Sequence, residues 1–500
     1  MNRHLPNPLR YVLAFTVCAA PAAALAADIL WVGTNGDWGE AANWDPATVP
    51  LGPDHALLKS DDATSRTVSY AATNPAFELM SIDALGSGTM TLAISAGTLQ
   101  TTGPQDTIGT DGRGAVTQTG GTYQNNSLLL AAALPASSGS YTLAGSGTLA
   151  VTNFEAVGAN GQGSFTQTAG SHTLGTNLYL GYVGTTSSGT YDLSGTGSLA
   201  VGGWEQVGRT GAGEFNQSGG THTIGQNLSI ARLSSPDDPN YRPSSTGTFN
   251  LSGGTITVTT KADATYQGVT NYIGGTFDYT GGSLIVSHGV FTNDGVLNIG
   301  GSGTRVVDGA VTNTSTGLIK VTDTTVQYTG TVTNGGAYVS DPSDNVFADL
   351  VVESSGYLQG QSGDRFLVGG NFTNDSVQNS LWETEDALLA FTGVTSSVHE
   401  YLLGEVAASF AWETLELAAG NALTILGSAP GTLFFDRISL GSESTLGSSL
   451  ALAYGELWVA GQLVDEGGVI APSIPEPATL ALFGLGLAGF GVLRRRKAAA

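Results

Sequence analysis

Apolar and polar residues alternate along most of this chain in short runs, and the runs recur. In Asn177-Leu178-Tyr179-Leu180, an extended backbone sends Leu178 and Leu180 to one face and Tyr179 to the other. Leu128/Leu130 and Leu228/Ile230 repeat the pair. Three stretches, starting at Ile108, Val157 and Val207, align with one another, their starts 49 and 50 residues apart. The interludes between them follow the same plan: an aromatic residue, polar and apolar residues in turn, then a glycine turn. Met90, Val116, Tyr141, Phe165, Tyr191 and Phe215 mark the resulting half-period, in steps of 26, 25, 24, 26 and 24. Phe249 and Phe277 carry it on after an insertion, RLSSPDDPNYRPSS.

A repeat of about 25 residues with period-2 alternation inside it predicts a solenoid of strands. One repeat reads as one turn of a parallel β-helix, short strands joined by glycine turns. Coils stack at about 4.8 Å, so that like residues form inward ladders. Helical repeats of similar length need strong helix formers, which these stretches lack. The period then shortens. Phe291-Thr-Asn, Val311-Thr-Asn, Val332-Thr-Asn and Phe372-Thr-Asn are separated by 20, 21 and 40 residues, smaller coils with one divergent coil skipped. About thirteen coils are expected in all. A single coil cannot stand alone, and an open stack needs caps.

The expected fold class is therefore all-β, a parallel β-helix (β-solenoid) with terminal caps. Residues 28–85 form the N-terminal cap region, 86–345 the repeats and 346–473 a divergent C-terminal β region. In that last region NSLWETEDALLAFTG and SFAWETLELAAGNALTIL alternate like strands, although AWETLELAAG also reads as a short helix. WVGTNGDWGEAANW, Trp31 to Trp44, precedes the first clear coil. Its three tryptophans suit a plug for the open apolar end, the alternative being a sugar-stacking platform. This opening resembles that of many secreted β-helical proteins, autotransporter passenger regions among them.

The two ends are of a different kind. Arg3 and Arg10, the apolar run Tyr11–Ala20 and Ala24-Leu25-Ala26 form the three parts of a secretory signal peptide, residues 1–27, with a mature start at Ala27 or Asp28. The lone cysteine, Cys18, falls inside it, so the mature chain is expected to have none and to rely on packing and hydrogen bonds. Six basic residues and one acid sit in the two ends. Of the 17 basic and 41 acidic residues, the body thus keeps 11 and 40, a net charge of −29. Such a surface repels nucleic acid, which binds by lysine and arginine displacing counterions. With 41% hydrophobic residues and 12% charged ones, the chain is not of disordered composition.

Near the other end, Ala478–Leu493 is apolar and uncharged. As a helix its 16 residues rise about 24 Å, short of a hydrocarbon core of about 30 Å, so one short transmembrane helix is expected in a thin or thinned bilayer. Arg494, Arg495, Arg496 and Lys497 would stay cytoplasmic and leave the body outside that membrane. Pro475-Glu476-Pro477, then this glycine-rich run, then the basic cluster, resembles the PEP-CTERM sorting signal of exported proteins of Gram-negative bacteria that make extracellular polysaccharide. The resemblance covers 474–497 and implies processing by an exosortase, a membrane protease that reads the tripartite tail. It implies a precursor anchored in the inner membrane, then a place at the cell surface or in the extracellular matrix.

Candidate chemistry in the body is sparse. The runs GTDGRG, GANGQG and GRTGAG resemble phosphate-cradling loops but recur with the coil, and no helix follows, so they read as turns. His172 and His222 share one repeat position, two coils or about 10 Å apart, too far to share a metal, and read as outward or corner residues. His399-Glu400 lacks the second histidine of a zinc protease motif, and no G-x-S-x-G occurs. Acids cluster in loops at Asp61-Asp62, Asp237-Asp238 and Glu383/Glu385/Asp386; for Asp237-Asp238, in the insertion, solvated charge is the simpler reading than calcium. The expectation is an exported, acidic, non-enzymatic β-solenoid without metal or cofactor, structural or adhesive in a polysaccharide matrix or biofilm. The alternative is a polysaccharide-binding or polysaccharide-cleaving β-helix, with extracellular polysaccharide as partner.

Overall fold

The computed structural model describes residues 26–232, 245–259, 268–394, 396–428 and 430–473. The backbone winds into a β-solenoid of about 17 turns, with almost no helix. Three rows of strands run along it, each strand paired in parallel with its equivalents one coil behind and one coil ahead. Gln162–Gln167 lies between Ser138–Leu143 and Ser188–Leu193 in the first row. Ser171–Leu174 lies between Thr148–Val151 and Ser198–Val201 in the second. Leu178–Leu180 lies between Glu155–Val157 and Glu205–Val207 in the third.

Leu178 and Leu180 are fully buried and Tyr179 faces outward, as the alternation requires. The marker row holds from Val116 onward. Before it, Leu92 stands opposite Val116 and Met90 opposite Gly114, so Leu92 rather than Met90 continues the row. Six of its members stack as rings, Tyr141, Phe165, Tyr191, Phe215, Phe249 and Phe277, with successive centroids 4.8, 4.6, 5.0, 4.8 and 5.1 Å apart and planes within 13° of parallel. The coil repeat sets that spacing, and it is one at which aromatic faces attract.

The shorter coils behave as read, and the skipped one is Leu350–Val352, paired with Val332–Asn334 and Phe372–Asn374. Because residues i and i+2 share a face, the asparagine of each Thr-Asn motif is inward with its apolar partner. Asn271, Asn293, Asn313 and Asn334 are all fully buried. The first three Nδ2 groups each donate to the next Oδ1, at 2.8, 2.8 and 2.7 Å. Each also reaches a backbone oxygen of the next coil, as Asn313 does to Ala337 O at 3.0 Å. The amides thus satisfy one another and the turn, apart from Asn271 Oδ1 at the head of the ladder, which accepts no bond, and this is what makes their burial tolerable.

Seventeen turns exceed the expected thirteen because parallel coils extend further at both ends. His55–Ser60 already pairs in parallel with Asp28–Trp31 and with Leu79–Ala84. Parallel pairing continues to Thr432–Leu440 against Ala451–Val459. Coils are joined through the backbone, so they persist where side-chain periodicity fades. AWETLELAAG contributes a strand, Trp412–Leu417, and not a helix. Among the described residues, antiparallel pairing occurs only at the two ends, between Asp28–Trp31 and Trp44–Asp45 and between Ala451–Val459 and Gln462–Ile470.

The tryptophans are a plug. Trp31, Trp38 and Trp44 are at most 2% exposed. Trp44 packs edge-on to both others, at 5.1 and 4.8 Å. Trp38 lies against Tyr70 and Phe77 of the first coils. Buried rings cannot stack on a sugar. The glycine runs are corners: Gly158 has φ +69°, and a Cβ there would lie 2.0 Å from Ser188 O of the following coil. Gly109 and Gly208 repeat both features, so the close coil-to-coil approach excludes any side chain.

Candidate functional site

The most organised chemistry in the body lies inside it. His172 and His222 are not outward or corner residues; both are fully buried. His172 stands in register with Leu149 and Leu199, and His222 with Leu199 and Ile256, so each occupies an inward apolar row. Burying a polar ring demands a partner. His222 Nε2 is hydrogen-bonded to Glu205 Oε2 at 2.8 Å, and His172 Nε2 lies 2.9 Å from Glu155 Oε2 in an ion-pair contact without hydrogen-bond alignment, with all four side chains at zero exposure. The acids also replace leucine in an inward row, which reads Leu128, Glu155, Leu178, Glu205, Leu228.

The first member of this double-coil series differs. Asp106 precedes Leu128 in the acid row, and Tyr123 precedes Leu149 in the histidine row. The Tyr123 hydroxyl donates to Asp106 Oδ2 at 2.7 Å, Thr101 Oγ1 donates to the same oxygen at 2.5 Å, and Met80 N donates to Oδ1 at 2.7 Å. Burial pushes the Asp106 carboxyl up to about 6, against the pull of those three donors, and drives Tyr123 well up as well.

A third inward row completes the network. The Tyr191 hydroxyl donates to Gln167 Oε1 at 2.6 Å and lies 3.0 Å from His172 Nδ1. Around His222 the equivalent ring is Phe249, which has no hydroxyl. There His222 Nδ1 and Gln217 Oε1 are both left without a partner. Each imidazole packs flat on a neighbouring ring, Phe165 or Phe215, at 4.8 Å. This column is sealed from solvent, so its arrangement suits holding coils in register and not turning over a polymer. The sequence does carry its signal: Glu155/His172 and Glu205/His222 recur together on the 50-residue repeat.

Asp323 and Asp344 line one groove of about 400 Å³ together with Thr304, Thr324 and Ser343, Asp344 being paired with Arg365 at 3.4 Å; the acids singled out in the sequence lie elsewhere. Asp62 is paired with Arg66 at 2.6 Å, and that guanidinium holds its carboxyl down at about 2. Glu383, Glu385 and Asp386 are exposed loop residues. Asp237 and Asp238 lie outside the described residues. His399 is buried, with Nδ1 2.8 Å from Gly370 O. A cavity of about 450 Å³ near the C-terminal coils is lined by Phe391, Glu416, Ser439 and Gly461 among others, with a single carboxylate. Among the described residues no group of three or more His, Cys, Asp or Glu is placed to hold a metal ion.

The sorting tail itself, Pro475, Glu476, Pro477, the run Ala478–Leu493 and Arg494 to Lys497, lies outside the described residues, as do residues 1–25 of the expected signal peptide. Among the described residues no helix is long and apolar enough to cross a membrane. The structure does show how the body meets the tail. Ser473 N donates to Ser448 O at 2.8 Å, and Ser448 N donates to Ser473 Oγ at 3.1 Å. The chain is thus tied to the last coils two residues before Pro475.

No curated protein and no solved structure gives a significant match to this chain. Residues 473–497 match the family profile of the PEP-CTERM protein-sorting motif. With the body's last hydrogen bonds at Ser473, where the match begins, the chain is a β-solenoid carrying a C-terminal PEP-CTERM sorting signal, which implies export as a membrane-anchored precursor and processing by an exosortase.

Proposed function

We propose that this protein is a non-enzymatic structural or adhesive component of the cell surface or of a polysaccharide matrix, started on its way by the N-terminal signal peptide. The apolar run Ala478–Leu493 forms a short transmembrane helix that holds it until processing. The observation that carries this reading is the continuity of the body. One uninterrupted stack, on the order of 80 Å long, runs from a tryptophan plug to the residue at which the sorting motif starts. Its best-organised polar groups are spent inside, between coils, and in the groove lined by Asp323 and Asp344 the second acid is held by Arg365, a partner for a carboxylate and not for the protonated acid that glycosidic cleavage needs.

The test is fractionation of cells and medium with an antibody to the body, together with incubation of the purified protein with acidic and neutral polysaccharides. The expected result is a cell-surface or matrix location and no release of reducing or unsaturated ends. Turnover that disappears on mutating a surface carboxylate would establish the cleaving alternative. Binding without cleavage is a separate matter, and a specific outward face favours it.

A further inference from the structure

We propose that the outward side of the third strand row, between Phe154 and Arg232, is a binding strip for an anionic polysaccharide. As a biological role this rests on the matrix reading above; as a binding site it is tested apart from it.

The strip is built by the coil register. Glu155, Leu178, Glu205 and Leu228 are inward and opposite one another. The residues just before them, Phe154, Asn177 and Trp204, therefore form one outer column, which ends at Trp204 because the next member, Asn227, is buried. Phe154 and Trp204 are two coils apart in it, about 9.6 Å. Tyr179 lies in the next outward column. Tyr182, Arg209 and Arg232 follow the inward Leu180, Val207 and Ile230 at the same offset on successive coils.

These side chains touch. Tyr179 stacks on Tyr182 at 4.7 Å, and Phe154 lies 6.0 and 5.9 Å from the two. The Arg209 guanidinium sits 4.6 Å over Tyr182 and 5.3 Å from Tyr179, and Arg232 sits 5.5 Å over Trp204, itself 37% exposed. Asn177 braces the group: its Nδ2 donates to the Tyr179 hydroxyl at 2.8 Å, and its Oδ1 accepts from Trp204 N at 2.8 Å. Beside Tyr179 in register is Gln206, only 1% exposed, whose Oε1 accepts no hydrogen bond.

Charge decides the class of ligand. The body has 40 acids against 11 basic residues, yet the only carboxylates in these four strands, Glu155 and Glu205, point inward and are fully buried. Arg209 and Arg232 are not paired with a carboxylate among the described residues. A guanidinium held over an aromatic ring still has N–H groups to offer a carboxylate; Arg209 spends one on Tyr182 O at 3.3 Å and keeps the others. Aromatic faces repeated along the coil axis offer apolar platforms to successive pyranose rings of an extended chain. A polyuronate satisfies both features. The body's net negative charge opposes a polyuronate and a nucleic acid alike, so only local contacts choose between them: a single strand needs a basic groove that tracks its phosphates, and two arginines on a body with 40 acids do not make one. The competing reading, that rings and arginines merely clad a coil corner, predicts no binding.

The experiment uses the full chain purified in detergent, run in gels containing polygalacturonate or, as the neutral counterpart, dextran. Retardation by polygalacturonate that weakens with added salt is expected, and none by dextran. Arg209→Gln and Trp204→Ala should each weaken binding about tenfold. Arg365→Gln, at an arginine paired with Asp344 on another strand row, should leave it unchanged. Circular dichroism melting verifies that each variant is folded. No retardation by polygalacturonate, equal retardation by dextran, preference for a single-stranded oligonucleotide, or parent-like binding by both folded variants would overturn the proposal. A protein that binds polygalacturonate through Arg209 but is found outside the surface and matrix fractions would instead sink the matrix reading and leave the strip standing.

Discussion

Glu155 and His172 meet at 2.9 Å inside the coil stack, each at zero exposure and each in a row that holds leucine one coil before and one coil after. The neighbouring leucines show that the rows accept an apolar residue of that size. The pair is therefore not needed to fill space.

Removing one partner leaves the other buried and alone, at a cost of about 3–5 kcal/mol; replacing both with leucine is close to neutral or stabilising. Glu155→Leu and His172→Leu should each lower the guanidinium midpoint markedly. The double variant should recover most of the loss. Additive losses in the double variant would contradict the pairing.

Tyr191 and Phe249 allow a sharper test. The Tyr191 hydroxyl serves His172 Nδ1 and Gln167 Oε1, and the equivalent atoms His222 Nδ1 and Gln217 Oε1 are unpartnered beside Phe249. Phe249→Tyr should satisfy both orphans and stabilise by about 0.5–1.5 kcal/mol. Tyr191→Phe should create two orphans and cost about 1–3 kcal/mol. Hydrogen exchange of the flanking amides reads each effect locally, which suits a solenoid whose coils need not open together. The proposal fails if Phe249→Tyr lowers protection around His222.

Asp106 gives the body a pH dependence of known sign. Its folded value, about 6, lies above the ordinary 3.8, so the folded state holds this proton more tightly than the unfolded chain does. The stability it contributes is full below about 4 and is lost as pH rises to about 6, on the order of 3 kcal/mol in all. Asp62, held at about 2 by Arg66, is exposed and works in the opposite direction at lower pH. Subtracting the denaturation curves of Asp106→Asn from those of the parent isolates the Asp106 slope. Parallel curves between pH 4 and 6 would show that the carboxyl is not perturbed.

The tail prediction concerns Pro475, Glu476 and Pro477. Replacing all three with alanine keeps the apolar run and Arg494–Lys497, so an anchor would be unaffected. A protease that reads rigid, extended backbone beside the tied-down Ser473 would lose its signal. The triple variant should remain full-length in the inner membrane while the parent is shortened and moves outward. The C-terminal mass of protein from each fraction measures this. A parent that keeps Arg494–Lys497 in its final location would leave the anchor alone.

Much of the fold was legible because strand alternation is local. Leu178/Leu180 against Tyr179, the Thr-Asn spacings and the tryptophan plug can all be read from neighbours in the chain. The histidines were not legible in that way. In Ser171-His172-Thr173 the flanking residues are polar, so alternation places His172 opposite them without saying which side is inside. The outward strip was hidden for a related reason. Phe154, Tyr179, Tyr182 and Arg209 are 55 residues apart end to end, and only the coil register makes them neighbours.

The sequence by itself determined the repeat length, the strand character, the acidity of the body and the tripartite tail, because each is set by residue types and spacings along one chain. The tertiary structure decided which polar residues are inside, how far the coils run and where Arg209 finds its rings. Those depend on which strand lies one coil away, and backbone pairing between coils, rather than any local propensity, fixes that choice.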